Sequence, residues 1–182
     1  IPDAERVFYI DTGCLILDYI SAVFSLPLEK TIAAVANPFD KKNKCRLNLS
    51  QSSCYFYAAP VLINPSRWQQ NNYTQQLIYW CHHHKEPLVF PDLDALNVLL
   101  QDDIIQLPAR YYVVPQFLHA HLFSNKAFNT ELRECLFSPA IVHFASCAPW
   151  YLDEYKNPFD ELWYATNQTL KCPAKITYRH KG

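Results

Sequence analysis

The chain has 182 residues, 50% of them hydrophobic and 15% aromatic, which is enough apolar mass for one domain, residues 1–182, with a substantial core. Sixteen Lys and Arg stand against 17 Asp and Glu, a formal net charge of −1, so the totals carry no broad electrostatic footprint for nucleic acid or for an anionic membrane surface. No apolar run approaches the roughly 20 residues that span a bilayer, and Gly-rich phosphate loops are excluded because the only glycines are Gly13 and Gly182.

In chain order, residues 7–10 and 14–17 are short apolar runs separated by a polar break, and they predict strand, break, strand. Residues 20–24 predict a helical turn, residues 32–36 a buried strand, and the polar, lysine-bearing residues 37–53 a loop. Residues 55–64 are apolar enough for a central strand. A helical stretch begins at Ser66, with Trp68, Leu77, Ile78 and Cys81 on its inner face and Thr74 as a candidate cap for a second segment. His82, His83 and His84 close it. Consecutive histidines point in different directions around a helix, so they predict a solvated helix end rather than a metal site.

Asp92 is the expected cap of the next helix, where Leu93, Leu96, Leu99 and Leu100 recur at three-and-four spacing. Residues 104–107, 111–114 and 140–144 predict further strands. Strands alternating with helices specify an α/β sheet. Residues 116–138 show no clean period, and the tail from Trp150 onward is aromatic with scattered prolines. Seven scattered cysteines without a C-x-x-C, odd in number, favour a reducing compartment, cytoplasmic or peripheral at the inner membrane face. No methionine is present, so Ile1 is expected to be a processing or truncation boundary.

Four segments carry the chemistry. They are the strand ending in Asp11-Thr12-Gly13; Tyr55-Phe56-Tyr57-Ala58-Ala59 with its apolar continuation to Asn64; Pro91-Asp92-Leu93-Asp94 with Asn97; and His143-Phe144 followed by Ser146, Ala148, Pro149 and Trp150. In this order and spacing they resemble family 8 glycosyltransferases, the group that includes bacterial lipopolysaccharide galactosyl- and glucosyltransferases. The resemblance covers nearly the whole chain as the C-terminal portion of such an enzyme.

It implies a GT-A-like fold, a mixed sheet flanked by helices, with the N-terminal nucleoside-binding strands expected to be missing. It also implies retaining transfer of a hexose from a UDP-sugar to a glycan or lipopolysaccharide acceptor, with Mn²⁺ or Mg²⁺ as cofactor. Hard oxygen ligands plus one imidazole suit a cation that neutralises the departing diphosphate. By the resemblance, Asp11 and His143 are the metal ligands, and Asp92 and Asp94 bind the donor sugar. No residue is assigned as catalytic.

The same motifs are degenerate at six positions. Gly13 replaces the second aspartate of Asp-x-Asp, Tyr57 and Ala59 replace members of Asn-Ser-Gly, Leu93 replaces an amide, Ser146 a glycine and Ala148 a lysine. Loss of one charged partner at such a site costs about 2–5 kcal/mol. The alternative reading is therefore a catalytically inactive glycosyltransferase-like binding or assembly protein. A remote alternative is an aspartic protease, whose active-site triplet Asp11-Thr12-Gly13 matches, but the flap glycines such an enzyme needs have no counterpart in this chain.

Overall fold

Two compact units appear in the computed structural model, one drawn from Ile1–Ile10 and Ile20–Pro108, the other from Asp11–Tyr19 and Ala109–Gly182. The structure describes residues 4–37, 40–86, 88–115, 117, 126–145, 148–151 and 158–177.

The first unit is built on a four-stranded mixed sheet. Its strands are β1 (Val7–Tyr9), β3 (Ile32–Ala36), β4 (Phe56–Ile63) and β5 (Ile104–Leu107), in the order β1-β4-β3-β5. β4 runs antiparallel to both β1 and β3, and β5 lies parallel to β3. β3 is buried along four of its five residues, which is why it reads as a continuous apolar run and not as an alternation.

Register is lost between Ala34, which faces Val61, and Ala36, which faces Phe56. The intervening residues 57–60 therefore leave the ladder, and Pro60, with no N–H to donate, cannot join it. Those residues are the Tyr57-Ala58-Ala59 motif.

Around this sheet lie α1 (Ser21–Phe24), α2 (Asp40–Arg46), α3 (Pro65–Gln70), α4 (Tyr73–His83) and α5 (Pro91–Leu100). A core of Ile32, Ala34, Phe56, Val61, Tyr73 and Leu100 is packed by Trp68, Leu96 and Leu99 from the helices, each full burial worth roughly 1.5–3 kcal/mol. Asp103 ties sheet to helices: its carboxylate accepts from the Thr31 amide at 3.1 Å, from the Thr31 hydroxyl and from the Tyr73 hydroxyl at 2.9 Å.

Several sequence expectations are corrected, among them the inner face of α4, since Ile78 and Cys81 are exposed. Residues 37–53 are not all loop, because α2 forms inside them and ends in a Schellman motif. The Leu49 amide donates to the Lys44 carbonyl at 2.9 Å, the Asn48 amide to Cys45 at 3.3 Å, and Asn48 sits at φ 54°. Asparagine here takes the left-handed position that glycine usually fills.

Thr74 does not cap α4. Its hydroxyl accepts from the Trp68 indole at 2.9 Å, and the helix starts after Asn72, which is left-handed at φ 54° and makes no side-chain cap. Nor does Asp92 cap α5, which enters through Phe90 and Pro91 with Asp92 already inside the first turn. A side-chain cap does occur at Asn64, which accepts from the Arg67 amide at 3.1 Å to start α3. His82 and His83 end α4, exposed as expected, and the His83 ring stacks on Tyr79 at 4.0 Å.

The second unit holds the antiparallel pair β2 (Cys14–Ile16) and β6 (Ile141–His143), with α6 (Lys126–Phe137) and α7 (Asp160–Thr169). Residues 111–114 do not make a strand. A short 3₁₀ turn covers Ala109–Tyr111, and Val113 then forms a single parallel bridge to Val142. β6 is thus flanked on both sides and fully buried, among Val113, Leu132 and Ala140. Both α6 and α7 fall in stretches where the sequence showed no usable period.

Candidate functional site

In the second unit, His143 is fixed by its backbone before its side chain is considered. It faces Cys14 in the β2–β6 ladder, its amide donates to the Val113 carbonyl at 2.8 Å, and the next amide, of Phe144, donates to Gly13 at 2.9 Å. Its side chain is 10% exposed. Its Nδ1 lies 2.7 Å from the Tyr112 hydroxyl and its Nε2 3.3 Å from Asp11 Oδ2.

Burial pulls the His143 pKa below its ordinary value, and the Asp11 carboxylate only partly offsets this. The ring is therefore neutral at pH 7, the form that binds a metal. Ligation through Nε2 needs the Nδ1–H tautomer, and the Tyr112 oxygen is placed to accept that proton. Tyr112 has no signal in the sequence beyond being an apolar-run tyrosine, and it was missed.

Gly13 leaves space that the same imidazole borders. A Cβ built there would stand 3.2 Å from His143 Cδ2 and Nε2 and 3.9 Å from the Trp150 ring. The position of the lost aspartate is thus beside Asp11 and His143, and the structure brings these three together. Asp11 is about half exposed, 48%. Among the described residues no group of three or more His, Cys, Asp or Glu is arranged to hold a metal, so the donor set is one carboxylate and one imidazole. Ala148, where the family lysine is expected, is 9% exposed, and Ser146 lies outside the described residues.

In the first unit the motif around α5 divides into three different tasks. Asn97, fully buried, accepts from the Phe56 amide at 2.8 Å and donates to the Phe56 carbonyl and the Leu93 carbonyl, both at 2.9 Å. It clamps the end of β4 just before the bulged Tyr57–Ala59 segment. Asp94, also fully buried, receives a two-pronged ion pair from Arg46 at 2.6 and 2.9 Å and the amides of Val89 and Phe90 at 3.2 and 3.1 Å.

Burial by itself raises the Asp94 pKa, but the Arg46 and backbone hydrogen bonds outweigh it and hold the carboxyl below the usual carboxylate range. Arg46 comes from the stretch read as loop, so its role could not be read from the motif.

Asp92 is the member left over. It is exposed, makes no hydrogen bond among the described residues, and lines a largely apolar cavity of about 260 Å³ with Ala58, Phe56 and Trp68. The second and third motifs therefore meet at this cavity. Leu93 and Tyr57 are half-buried, as is Ala59. Burial first, then the neighbouring Tyr55, pushes the Tyr57 phenol pKa up, so Tyr57 enters any chemistry as a neutral group.

The structure sets these motifs at strand ends and at one helix start around a mixed sheet flanked by helices, an architecture shared with GT-A-like glycosyltransferases of solved structure. The model for "Glycosyl transferase family 8" matches residues 1–152, and the chain belongs to that family. General stress protein A of Bacillus subtilis (strain 168) is 31% identical over 186 residues, covering 93% of this chain and 63% of its own length. Lipopolysaccharide 1,2-glucosyltransferase of Escherichia coli (strain K12) is 26% identical over 159 residues, covering 81% of this chain and 44% of its own length.

Among solved structures, the galactosyltransferase LgtC, in complex with donor and acceptor sugar analogs, superposes with a TM-score of 0.82 at 19% identity, over 94% of this chain and 63% of that one. The chain spans less than two thirds of the length of these relatives. The family match leaves the protease reading of Asp11-Thr12-Gly13 without support. No helix among the described residues is long and apolar enough to cross a membrane.

Proposed function

We propose that this chain is the metal- and donor-sugar-binding portion of a hexosyltransferase that uses a UDP-sugar and retains anomeric configuration, with a glycan or lipopolysaccharide as acceptor. The observation that carries this reading is the Asp11–His143 pair at 3.3 Å, with Gly13, at the position of the family's second aspartate, bordering the same imidazole. Asp11 and His143 would hold a cation such as Mn²⁺ or Mg²⁺ through one carboxylate oxygen and one neutral imidazole. A cation bound there would supply positive charge against the negative charge that develops on a departing diphosphate.

Asp92 is the donor-sugar residue in this reading, because its carboxylate is free to accept from hydroxyls. Asp94 acts through position: with its oxygens committed to Arg46 and two amides, it fixes the turn that carries Asp92. Calorimetric titration with UDP tests the reading. Saturable binding in the presence of Mn²⁺ and none in its absence is expected; no binding under either condition overturns it.

A non-catalytic binding or assembly protein is the second reading, favoured by the missing third donor at Gly13 and by the apolar Leu93. Metal-dependent UDP binding without turnover of UDP-glucose or UDP-galactose, by hydrolysis or transfer, would select it.

A further inference from the structure

A cavity among the described residues of the second unit lies outside the Asp11–His143 pair. It measures about 440 Å³ and is lined by Thr12, Trp150, Trp163, Thr166, Leu170 and Lys175 among others, a size within the roughly 300–1,000 Å³ of small-molecule sites. The two indoles approach at 5.7 Å between centroids and 49°, and both remain half-buried, so part of each ring faces the cavity.

Polar groups stand at the rim. Thr12 is exposed, Thr166 donates to Leu162 at 2.8 Å and keeps its oxygen lone pairs, and Lys175 is exposed with no acidic partner among the described residues.

The walls are pinned to one another. The Tyr164 hydroxyl donates to the Pro149 carbonyl at 2.7 Å, which ties α7 to the Pro149-Trp150 turn. Buried Asn167 spends its amide on both backbone groups of Ala174, at 2.7 and 3.1 Å, which sets Lys175. The Thr177 amide closes the frame by donating to Trp150 at 2.9 Å. These bonds hold α7, the Pro149-Trp150 turn and the Ala174-Lys175 segment to one another, which lowers the ordering cost of binding between them.

We propose that this cavity is a carbohydrate subsite that holds one pyranose ring of the acceptor glycan. The C–H face of a pyranose is apolar with slightly positive hydrogens, which suits the negative face of an indole. Its equatorial hydroxyls then point outward to Thr12, Thr166 and Lys175. The cavity shares a wall with the candidate metal site, since Trp150 lines it and also lies 3.9 Å from a Cβ at Gly13. That the sugar is an acceptor rests on the function proposed above; that a sugar binds there does not.

The test is a titration of the chain with the methyl glycosides of glucose, galactose, N-acetylglucosamine and glucuronic acid, read on the indole N–H resonances. The four tryptophans are assigned by Trp→Phe variants. Saturable shifts are expected at Trp150 and Trp163 for at least one glycoside, with Trp80, which lines neither cavity, unmoved. Thr166→Phe, which fills the cavity, should abolish the shifts while the thermal melt stays cooperative.

Trp163→Ala should weaken the affinity by roughly tenfold through loss of one stacking face. No saturable shift with any of the four glycosides, or shifts that persist in Thr166→Phe, overturns the subsite. UDP titration of the same unmodified chain keeps the two ideas apart. Sugar shifts without metal-dependent UDP binding leave the subsite standing and remove its role as acceptor site, whereas UDP binding without sugar shifts overturns the subsite and leaves the function proposed above in place.

Discussion

The third motif and the first motif have fared differently in this chain. Around α5, two of the three retained polar residues are saturated: Asn97 with three backbone partners and Asp94 with Arg46 and two amides. Around β2 and β6, the retained Asp11 and His143 face each other with a glycine where the family has a further carboxylate. Residues that satisfy buried backbone cannot be exchanged without leaving donors and acceptors unpaired. Residues that would serve only a ligand are free to change without unfolding anything. What a motif retains is therefore first a record of what the scaffold needs.

The comparison breaks most sharply at Asn97. Asn97→Ala leaves the Phe56 amide and carbonyl buried without partners, so a loss of roughly 2–5 kcal/mol is expected. Urea denaturation checks this, and a loss below about 1 kcal/mol would place Asn97 with ordinary surface substitutions.

Asp94→Asn comes next, at roughly 2–3 kcal/mol at pH 7, because it replaces a charge-assisted pair with neutral bonds while Arg46 keeps some access to water. The pH profile carries the sign. A carboxyl held below its ordinary value of 3.8 contributes stability that is present above that pH and is lost as pH falls through the folded-state pKa. Asp103 is lowered as well, against burial, by Thr31 and Tyr73. Acid titration of the melting midpoint should therefore drop steeply below about pH 4 and flatten partly, not wholly, in Asp94→Asn.

Much of this frame was legible before the structure. β3, β4 and β6 were readable because buried strands are continuous apolar runs, and the helix over Asp92–Asn97 because its leucine spacing announces it. What escaped has a common cause. α2 has no apolar periodicity: it is held by Arg46 to Asp94, a partner distant in sequence, and it ends in a Schellman turn where asparagine, not glycine, takes the left-handed position. Asp92 and Thr74 were plausible caps by residue type, but capping depends on where the chain turns, and Pro91 and the left-handed Asn72 set that instead. At the candidate site, Asp11 and His143 were visible through the motif, whereas Tyr112 is separated from His143 by 31 residues and meets it only across a strand bridge.

In the second unit, Gly13→Asp should produce opposite effects with and without metal. The new Cβ must displace the imidazole by a few tenths of an ångström, and a second carboxylate beside Asp11 is repelled by it. Metal-free stability is expected to fall by about 1 kcal/mol. Mn²⁺ binds the folded form alone and should recover that loss, with UDP affinity rising roughly tenfold over the parent. Equal Mn²⁺-dependent melting shifts in parent and variant would show that the missing carboxylate is not what limits the site.

The smallest effect on stability is expected at Asp92, and it is the most diagnostic for the donor. Asp92→Asn removes a charge from the first turn of α5, where it opposes the helix dipole, for a cost of a few tenths of a kcal/mol up to about 1. No hydrogen bond among the described residues is lost with it. If Asp92 serves the sugar, the variant should bind UDP as the parent does while losing whatever extra affinity the parent shows for UDP-hexose over UDP. If instead Asp92 is kept only for the helix, both ligands will bind the variant unchanged, and Asp92 joins Asn97 and Asp94 among the residues that the scaffold retains for itself.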